Sequence, residues 1–191
     1  MSLRLITGSA RADKAGIAFA ELIERAGHGD SAALLLPAVP DVSRALAQLA
    51  SRASVGLAIS TFDDFLDHLW AAHGDGRVLV TPVQRMALLA ESARTRSQRT
   101  DAPGKAPGFL RTLSTVVQRA AETVDELSGL PAETGAAAEI VRCAAGYAEL
   151  LNASGFVERG EAHRRVSGLL TAPALPDLIA ISGFTGLTRS Q

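Results

Sequence analysis

The stretch AALLLP, residues 32–37, places five consecutive apolar side chains directly before a proline. A short apolar run of this kind is typical of a strand that is buried on both faces of a parallel sheet. The segments on either side have apolar residues at helical spacing, at 13–26 and at 42–49. Gly27 and Gly29 end the first of these patterns. The sequence therefore predicts a helix, a buried strand and a second helix in succession.

Three other segments predict strands of the same sheet. Residues 3–7 are mostly apolar and precede a glycine, residues 55–59 precede two hydroxyl residues, and residues 178–181 are entirely apolar. Ser60 and Thr61 suit the start of a helix, because a hydroxyl in that position accepts a free backbone N–H. We expect an α/β fold in which these strands form a parallel sheet covered by helices.

The middle of the chain predicts helices only. Pro82 suits a helix start, and Val83, Met86 and Leu89 recur along one face of that helix. The polar stretch 94–105 predicts an exposed loop. Three later helices are expected at residues 107–128, 133–152 and 158–170. The chain is thereby divided into the first part of an α/β domain, an inserted all-helical subdomain and a returning strand segment, at residues 1–80, 81–172 and 173–191.

Composition limits the class of protein. The chain has 191 residues, of which 47% are hydrophobic, so it can bury a core. Its 19 Lys and Arg residues face 20 Asp and Glu residues, which leaves a net charge of -1. Any nucleic-acid contact must therefore come from a local patch. There is neither an apolar run of membrane-spanning length nor a recognisable signal peptide, so we expect a soluble, cytoplasmic protein without membrane contact.

One turn has the setting of a phosphate-binding loop, because it follows a predicted strand and opens a helix. In the motif GxxxxGK[ST], Gly8 and Lys14 keep the required spacing, and Ser9 lies between them. Asp13 stands in place of the second glycine, and Ala15 supplies no hydroxyl for Mg²⁺. The segment is either a degenerate phosphate-binding loop or an ordinary turn that Asp13 caps.

The strand at residues 178–181 should end in an acidic residue if the domain binds Mg²⁺ and a nucleotide. Ser182 and Gly183 follow it instead, and no carboxylate side chain occurs between them and Gln191. The groups that would hold Mg²⁺ are thus missing at two separate places. We expect no cofactor and no catalytic residue, and ATP with Mg²⁺ would bind only if the degenerate loop remains competent.

Five stretches carry a family resemblance. LITG (5–8) and the residues up to Lys14 resemble a Walker A loop. LLLP (34–37) resembles a strand and proline that precede the next motif, and residues 55–65 resemble a strand with a Thr-Phe segment that leads into a helix. YAELL (147–151) with GFVE (155–158) is similar to a Y-x-x-x-L … G-hydrophobic-hydrophobic-D pattern. SGFTGLTRSQ (182–191) resembles a Walker B form written D-G-F-x-x-[FL]-T-x-x-Q, with serine in place of the Asp. In this order the stretches resemble the N-terminal segment of AddB-type subunits and, more distantly, UvrD/RecB-like superfamily 1 helicases.

The resemblance implies a P-loop NTPase-like (RecA-like) domain from a helicase-nuclease of DNA double-strand-break repair. Its partners would be DNA and an AddA-like motor subunit, or the rest of the same chain. Because such proteins carry a second RecA-like domain and a nuclease domain, we expect this chain to be a fragment of a longer protein. With both nucleotide motifs degenerate, the expected role is a scaffold or DNA-strand guide without ATPase activity of its own. The alternatives are an active ATPase in the full-length protein and a purely structural protein-interaction module.

Other residues are candidates for contacts with DNA or metal. Thr61 and Phe62 resemble a DNA-facing family segment, although Phe62 also suits a core. A local basic stretch could pair with phosphates or lie in a solvated loop; it consists of Arg94, Arg96 and Arg99, with Lys105 and Arg111. The four histidines have no Cys or carboxylate partner at ligand spacing, so surface positions and no metal site are expected.

Overall fold

The computed structural model of the protein describes residues 6–7, 13–49, 56–96, 107–122, 135–170 and 174–184. The chain divides into two compact units, the first comprising residues 1–66 and 170–187 and the second comprising residues 67–169 and 188–191. The described residues form seven helices and five strands. In chain order these are α1 (Lys14–Gly27), β1 (Ala32–Leu36), α2 (Val39–Leu49), β2 (Leu57–Thr61), α3 (Phe62–His73), β3 (Val78–Leu79), α4 (Pro82–Arg96), α5 (Pro107–Glu122), α6 (Gly135–Ala153), β4 (Phe156–Val157), α7 (Arg159–Leu169) and β5 (Leu178–Ile181).

A three-stranded parallel sheet forms the centre of the first unit. β1 is the middle strand, with β2 on one side and β5 on the other, and every residue of β1 is buried. Leu34 lies opposite Ile59 of β2 and Ala180 of β5. The expectation of an α/β fold with a parallel sheet is confirmed for these three strands. Most of the strand predicted at residues 3–7 lies outside the described residues.

Helices α1 and α2 pack on one face of this sheet. Successive side chains of a strand alternate between the two faces, so Leu34 and Leu36 of β1 point the same way. There they share a core cluster with Leu22 of α1 and Ala45 of α2. Leu22 is 0% exposed, and burial of a leucine side chain contributes roughly 2 kcal/mol to folding. The apolar spacing thus predicted both helices but only part of their buried sides, because Leu22 and Leu49 are buried whereas Ile17 and Leu46 are 49% and 51% exposed.

Three helices of the second unit, α4, α5 and α6, contribute to one core cluster. Leu89 of α4 and Tyr147 of α6 are buried in it. A Cβ atom on Gly146 of α6 would lie 2.6 Å from the Oγ atom of Ser92, so the two helices approach closely at this glycine. The Ser92 hydroxyl donates a hydrogen bond to the backbone carbonyl of Cys143 at 2.5 Å. Small side chains therefore set the distance between α4 and α6.

The second unit also contains strands, which corrects the prediction of an all-helical subdomain at residues 81–172. β3 and β4 pair in parallel, with Val78 opposite Phe156 and Leu79 opposite Val157. Strands of two residues are too short to show an alternating pattern. No sequence pattern therefore marks them as strands.

Helix α4 begins at Pro82 as predicted, but its last turn and its buried side differ from the prediction. Residues 94–96 are helical, whereas a loop was predicted there, because their polar side chains lie on the exposed side of the last turn. The buried side of α4 follows the i, i+4 spacing of Arg85, Leu89 and Ala93. Val83 lies off this side and is 80% exposed, so its place on the predicted apolar face is wrong.

The later helices lie close to their predicted segments. α5 begins at the predicted residue 107, α6 covers most of 133–152, and α7 lies within 158–170. No helix in the described part of the chain is long and apolar enough to cross a bilayer.

Candidate functional site

The three parallel strands of the first unit end at the same edge of their sheet. Leu36 lies opposite Thr61 at the end of β2, and Leu35 lies opposite Ile181 at the end of β5. In open α/β sheets, ligands bind outside the carboxyl ends of the strands. We use the name carboxyl edge for the residues at these strand ends, namely Leu36, Pro37, Thr61, Ser182 and Gly183.

Helix α1 begins on the side of the carboxyl edge. It ends at Gly27, only a short turn before β1 begins at Ala32, and its Leu22 packs against Leu34 and Leu36. A helix that is joined to a strand by so short a turn and packs along that strand must run in the opposite direction. The first turn of α1 therefore lies towards the carboxyl ends of the strands.

The side chain of Asp13 closes the first turn of α1. Its Oδ1 atom accepts a hydrogen bond from the backbone N–H of Gly16 at 2.8 Å, which makes Asp13 the N-cap. A Cβ atom on Gly16 would lie 2.1 Å from the other carboxylate oxygen, so a larger residue here would require the Asp13 side chain to move. The carboxylate also lies where the helix dipole favours an anion. It thereby takes a backbone amide of the kind that faces phosphate in a phosphate-binding loop.

The other residues of the predicted loop are described only in part. Lys14 is half-buried in the first turn of α1, and Ala15 is exposed and has no side-chain oxygen for Mg²⁺. Gly8 and Ser9 lie outside the described residues. The contact between Asp13 and Gly16 is the one expected of an Asp-capped turn, and the phosphate-loop interpretation stays a prediction.

At the carboxyl edge, β5 continues into residues without a charge. The backbone N–H of Ser182 donates to the carbonyl of Leu35 at 3.1 Å. Gly183 has a φ of 83°, and a Cβ atom there would lie 3.3 Å from Cδ of Pro37, so both conformation and space favour glycine. Ser182 has a neutral hydroxyl, and its assignment to a degenerate Walker B segment stays a prediction. Gln191 lies outside the described residues.

The acidic residue next to β5 in sequence lies at the other end of that strand. Oδ2 of Asp177 accepts hydrogen bonds from the backbone N–H and the hydroxyl of Ser31, at 2.9 and 2.8 Å. These hydrogen bonds hold the pKa of Asp177 below its ordinary value. Because Ser31 directly precedes β1, the contact fixes the amino ends of β1 and β5 beside each other. Asp177 therefore stabilises the sheet at the end opposite to the carboxyl edge.

Thr61 both ends β2 and caps α3. Its backbone pairs with β1, and its Oγ1 atom accepts a hydrogen bond from the backbone N–H of Asp64 at 3.1 Å. The predicted helix start is confirmed at Thr61, while β2 runs two residues beyond the predicted residue 59. Phe62 packs edge-to-face on Phe184, with ring centroids 6.1 Å apart. The DNA-facing role of Thr61 and Phe62 stays a prediction, and these contacts are structural.

Two arginines of the predicted basic stretch are in ion pairs. Arg94 and Arg96 lie in the last turn of α4; Nη2 of Arg94 is 2.6 Å from Oε1 of Glu91, and Arg96 contacts Glu149. Because a carboxylate lies beside each of these two guanidinium groups, much of their positive charge is compensated within the protein. Arg111 is exposed on α5, and Arg99 and Lys105 lie outside the described residues.

A buried ionic cluster in the second unit was not predicted from the sequence. Arg85 forms a bidentate pair with Glu158, with Nε–Oε1 and Nη2–Oε2 distances of 2.8 and 2.7 Å, and Tyr147 donates its hydroxyl to Glu158. We call these three residues the Arg85 cluster. Burial and the hydrogen bond to Glu158 raise the pKa of the Tyr147 hydroxyl. Tyr147 and Glu158 belong to the YAELL and GFVE stretches, so this motif contributes to a core. The sequence feature that could have indicated the burial of Arg85 is its i, i+4 spacing with the buried residues of α4.

One histidine is not on the surface, contrary to expectation. His163 is 5% exposed, and its Nε2 atom lies 2.8 Å from Oδ1 of Asp67. The other carboxylate oxygen of Asp67 is 2.7 Å from Nη2 of Arg159. Within the residues that the structure describes, no three His, Cys, Asp or Glu side chains are grouped as a metal site.

The carboxyl edge offers backbone groups and hydroxyls. Mg²⁺ in nucleotide sites is held through carboxylate oxygens and phosphates. Among the five residues of the carboxyl edge there is no carboxylate, and Asp13 at the start of α1 is engaged as a helix cap. No protein-family model matches the chain, and no curated protein matches it either. The class that the strand order defines is that of α/β proteins with a parallel sheet.

Proposed function

We propose that this chain is a RecA-like helicase segment of AddB type that scaffolds a helicase-nuclease and guides a DNA strand without hydrolysing ATP. The observation that carries the proposal is the hydrogen bond from Gly16 to Asp13, which places a carboxylate at the start of α1. The family resemblance of residues 182–191 supports the AddB type. The parallel order β2-β1-β5 is compatible with a RecA-like sheet.

Three residues support the noncatalytic part of the proposal. Asp13 uses a backbone amide and adds a negative charge, Ala15 lacks the Mg²⁺-binding hydroxyl, and Ser182 lacks the Walker B carboxylate. Two like charges at 4 Å repel by about 1 kcal/mol in water and by about 4 kcal/mol at the effective dielectric of a protein surface. A nucleotide phosphate would meet this repulsion without a metal ion to offset it.

Calorimetric titration with Mg²⁺-ATP tests the nucleotide part. We expect no saturable binding by the native chain or by Lys14→Ala. A loop-restoring variant, Asp13→Gly with Ala15→Ser, has the complete GxxxxGK[ST] motif. If this variant binds Mg²⁺-ATP and loses the binding on Lys14→Ala, the result supports a degenerate phosphate-binding loop. Saturable binding by the native chain that Lys14→Ala abolishes would overturn the noncatalytic role and favour an active ATPase.

A separate titration tests the DNA part. The anisotropy of a labelled single-stranded oligonucleotide should rise on addition of the chain at about 50 mM salt, and the affinity should fall as salt is raised because bound phosphates release counterions. A folded chain without any such binding would contradict the strand-guide role and favour a protein-interaction module. Fluorescence of Trp70, which is 3% exposed, reports whether the second unit is folded in each sample.

A further inference from the structure

Two phenylalanine rings meet at the carboxyl edge of the first unit. Phe62 directly follows the end of β2, and Phe184 lies three residues beyond the end of β5. β2 and β5 lie on opposite sides of β1, so the two strands are about 10 Å apart. The ring centroids are only 6.1 Å apart. The two side chains therefore reach towards each other across the end of β1.

The contact between the rings leaves ring surface for another molecule. The rings are edge-to-face with an interplanar angle of 78°, and such a contact uses one face of one ring. Both side chains are half-buried. The core cluster between the sheet and its two helices has Phe19 packed against it, and its described members include neither ring of the pair. The pair is therefore a feature of the surface at the carboxyl edge.

The surroundings of the pair are apolar. Ile181 at the end of β5 is 51% exposed, and Val39 at the start of α2 is 64% exposed. The five residues of the carboxyl edge have no charged side chain, and α1 begins on the same side of the sheet with the carboxylate of Asp13. A carboxylate repels a phosphate but not an uncharged aromatic ring. A nucleobase therefore fits this place better than a phosphate does.

We infer that Phe184 stacks on a base of a single DNA strand at the carboxyl edge, an inference that rests on the proposed function. Aromatic side chains bind single strands in this way because every base has a π-face. Phe62 is a positioning residue, since its ring holds that of Phe184 through the edge-to-face contact. Stacking adds affinity without a phosphate contact, so it leaves the salt dependence of binding unchanged.

An oligomer without bases tests the inference. The affinities of the chain for a fluorescein-labelled oligothymidylate and for an abasic oligomer of the same length and charge are measured by anisotropy. The native chain should bind the thymidylate at least about fivefold more tightly, because one stacked base contributes that factor or more. Phe184→Leu keeps an apolar side chain and removes the ring. It should weaken binding of the thymidylate, with binding of the abasic oligomer and the salt slope unchanged.

Two variants serve as controls. Phe19→Leu makes the same change in the first unit at a ring that packs against the core, and it should keep the native preference for the thymidylate. Phe184→Tyr retains a ring at the proposed contact, so it should keep that preference as well. Circular dichroism shows whether each variant is folded. If Phe184→Leu does not fold, the native chain still tests the inference, because equal affinities for the two oligomers exclude stacking.

The outcomes separate the inference from the proposed function. If the native chain binds both oligomers equally, stacking is excluded and the DNA-guide role stands on phosphate contacts. If Phe184→Leu weakens binding of both oligomers by the same factor, the ring does not contact a base and the inference is overturned. If no folded sample binds DNA, the proposed function fails and the inference fails with it.

Discussion

Replacing Glu158 by glutamine should destabilise the second unit strongly. The change keeps the size of the side chain and removes its charge, so Arg85 loses the counter-charge of a bidentate pair. The side chains of Arg85 and Glu158 are 9% and 5% exposed, so water cannot replace the lost interaction. Removing one partner of a buried ion pair costs about 3–5 kcal/mol. We expect a loss towards the lower end of that range, because glutamine still accepts one hydrogen bond.

The single tryptophan provides the assay. Trp70 is buried in the second unit, where its indole N–H donates to the carbonyl of Arg77 at 2.8 Å, so its fluorescence should change when that unit unfolds. With a slope of about 2 kcal/mol per M urea, a loss of about 3 kcal/mol lowers the midpoint by about 1.5 M. Glu149→Gln is the matched control: it removes the same charge from the pair with Arg96, in which the side chains are 50% and 64% exposed. Its cost should stay below about 1 kcal/mol.

A second comparison separates charge from shape. In the double variant Arg85→Met/Glu158→Gln no buried cation is left without a partner, so part of the loss should be recovered. If Glu158→Gln lowers the urea midpoint no more than Glu149→Gln does, the buried charge pair does not hold this unit together and the reasoning is refuted.

Three further changes test the packing, the pH dependence and the helix cap. Gly146→Ala should destabilise the second unit by about 1–3 kcal/mol in the same urea titration, because its Cβ atom would lie 2.6 Å from Oγ of Ser92. Gly168→Ala is the control and should be neutral or slightly stabilising, because a Cβ atom there would have no heavy atom within 4 Å. Asp177→Asn should destabilise the first unit at neutral pH. The folded pKa of Asp177 lies below its ordinary value of about 3.9, so the difference in stability between the native chain and the variant should shrink as pH falls through the folded pKa. Equal differences in melting temperature at neutral and acid pH, measured by circular dichroism, would contradict this prediction. Asp13→Ala should cost about 1 kcal/mol in the same melts, and an unchanged midpoint would show that the cap contributes nothing.

Elements with a local signal could be predicted from the sequence. Three such signals each mark an end of a helix or strand through an effect on the backbone of nearby residues. They are the apolar run of β1, the hydroxyl of Thr61 and the proline at the start of α4. The error at residues 94–96 arose because polar side chains were interpreted as a loop, although an exposed helical turn has the same composition. In the candidate site, the hydrogen bond from Gly16 confirms that Asp13 caps α1, while the degenerate phosphate-binding loop stays a prediction.

Contacts between distant parts of the chain could not be predicted in this way. Arg85 and Glu158 are 73 residues apart, and neither residue has a neighbour in sequence that indicates its partner. Ser31 and Asp177 are likewise joined only by the fold. A single sequence shows periodicity and turns, and side-chain pairs of this range depend on how the elements pack.

The position of β5 in the chain affects the order of folding. Ser31 and Asp177 are 146 residues apart, so β5 joins the sheet only after residues 67–169 of the second unit have been synthesised. Until then the side of β1 that pairs with β5 is an unpaired strand edge, and such an edge can pair with the wrong segment. Early folding of the intervening helices would shorten the loop that β5 must close. In a refolding experiment, the fluorescence of Trp70 should therefore recover before the sheet is complete.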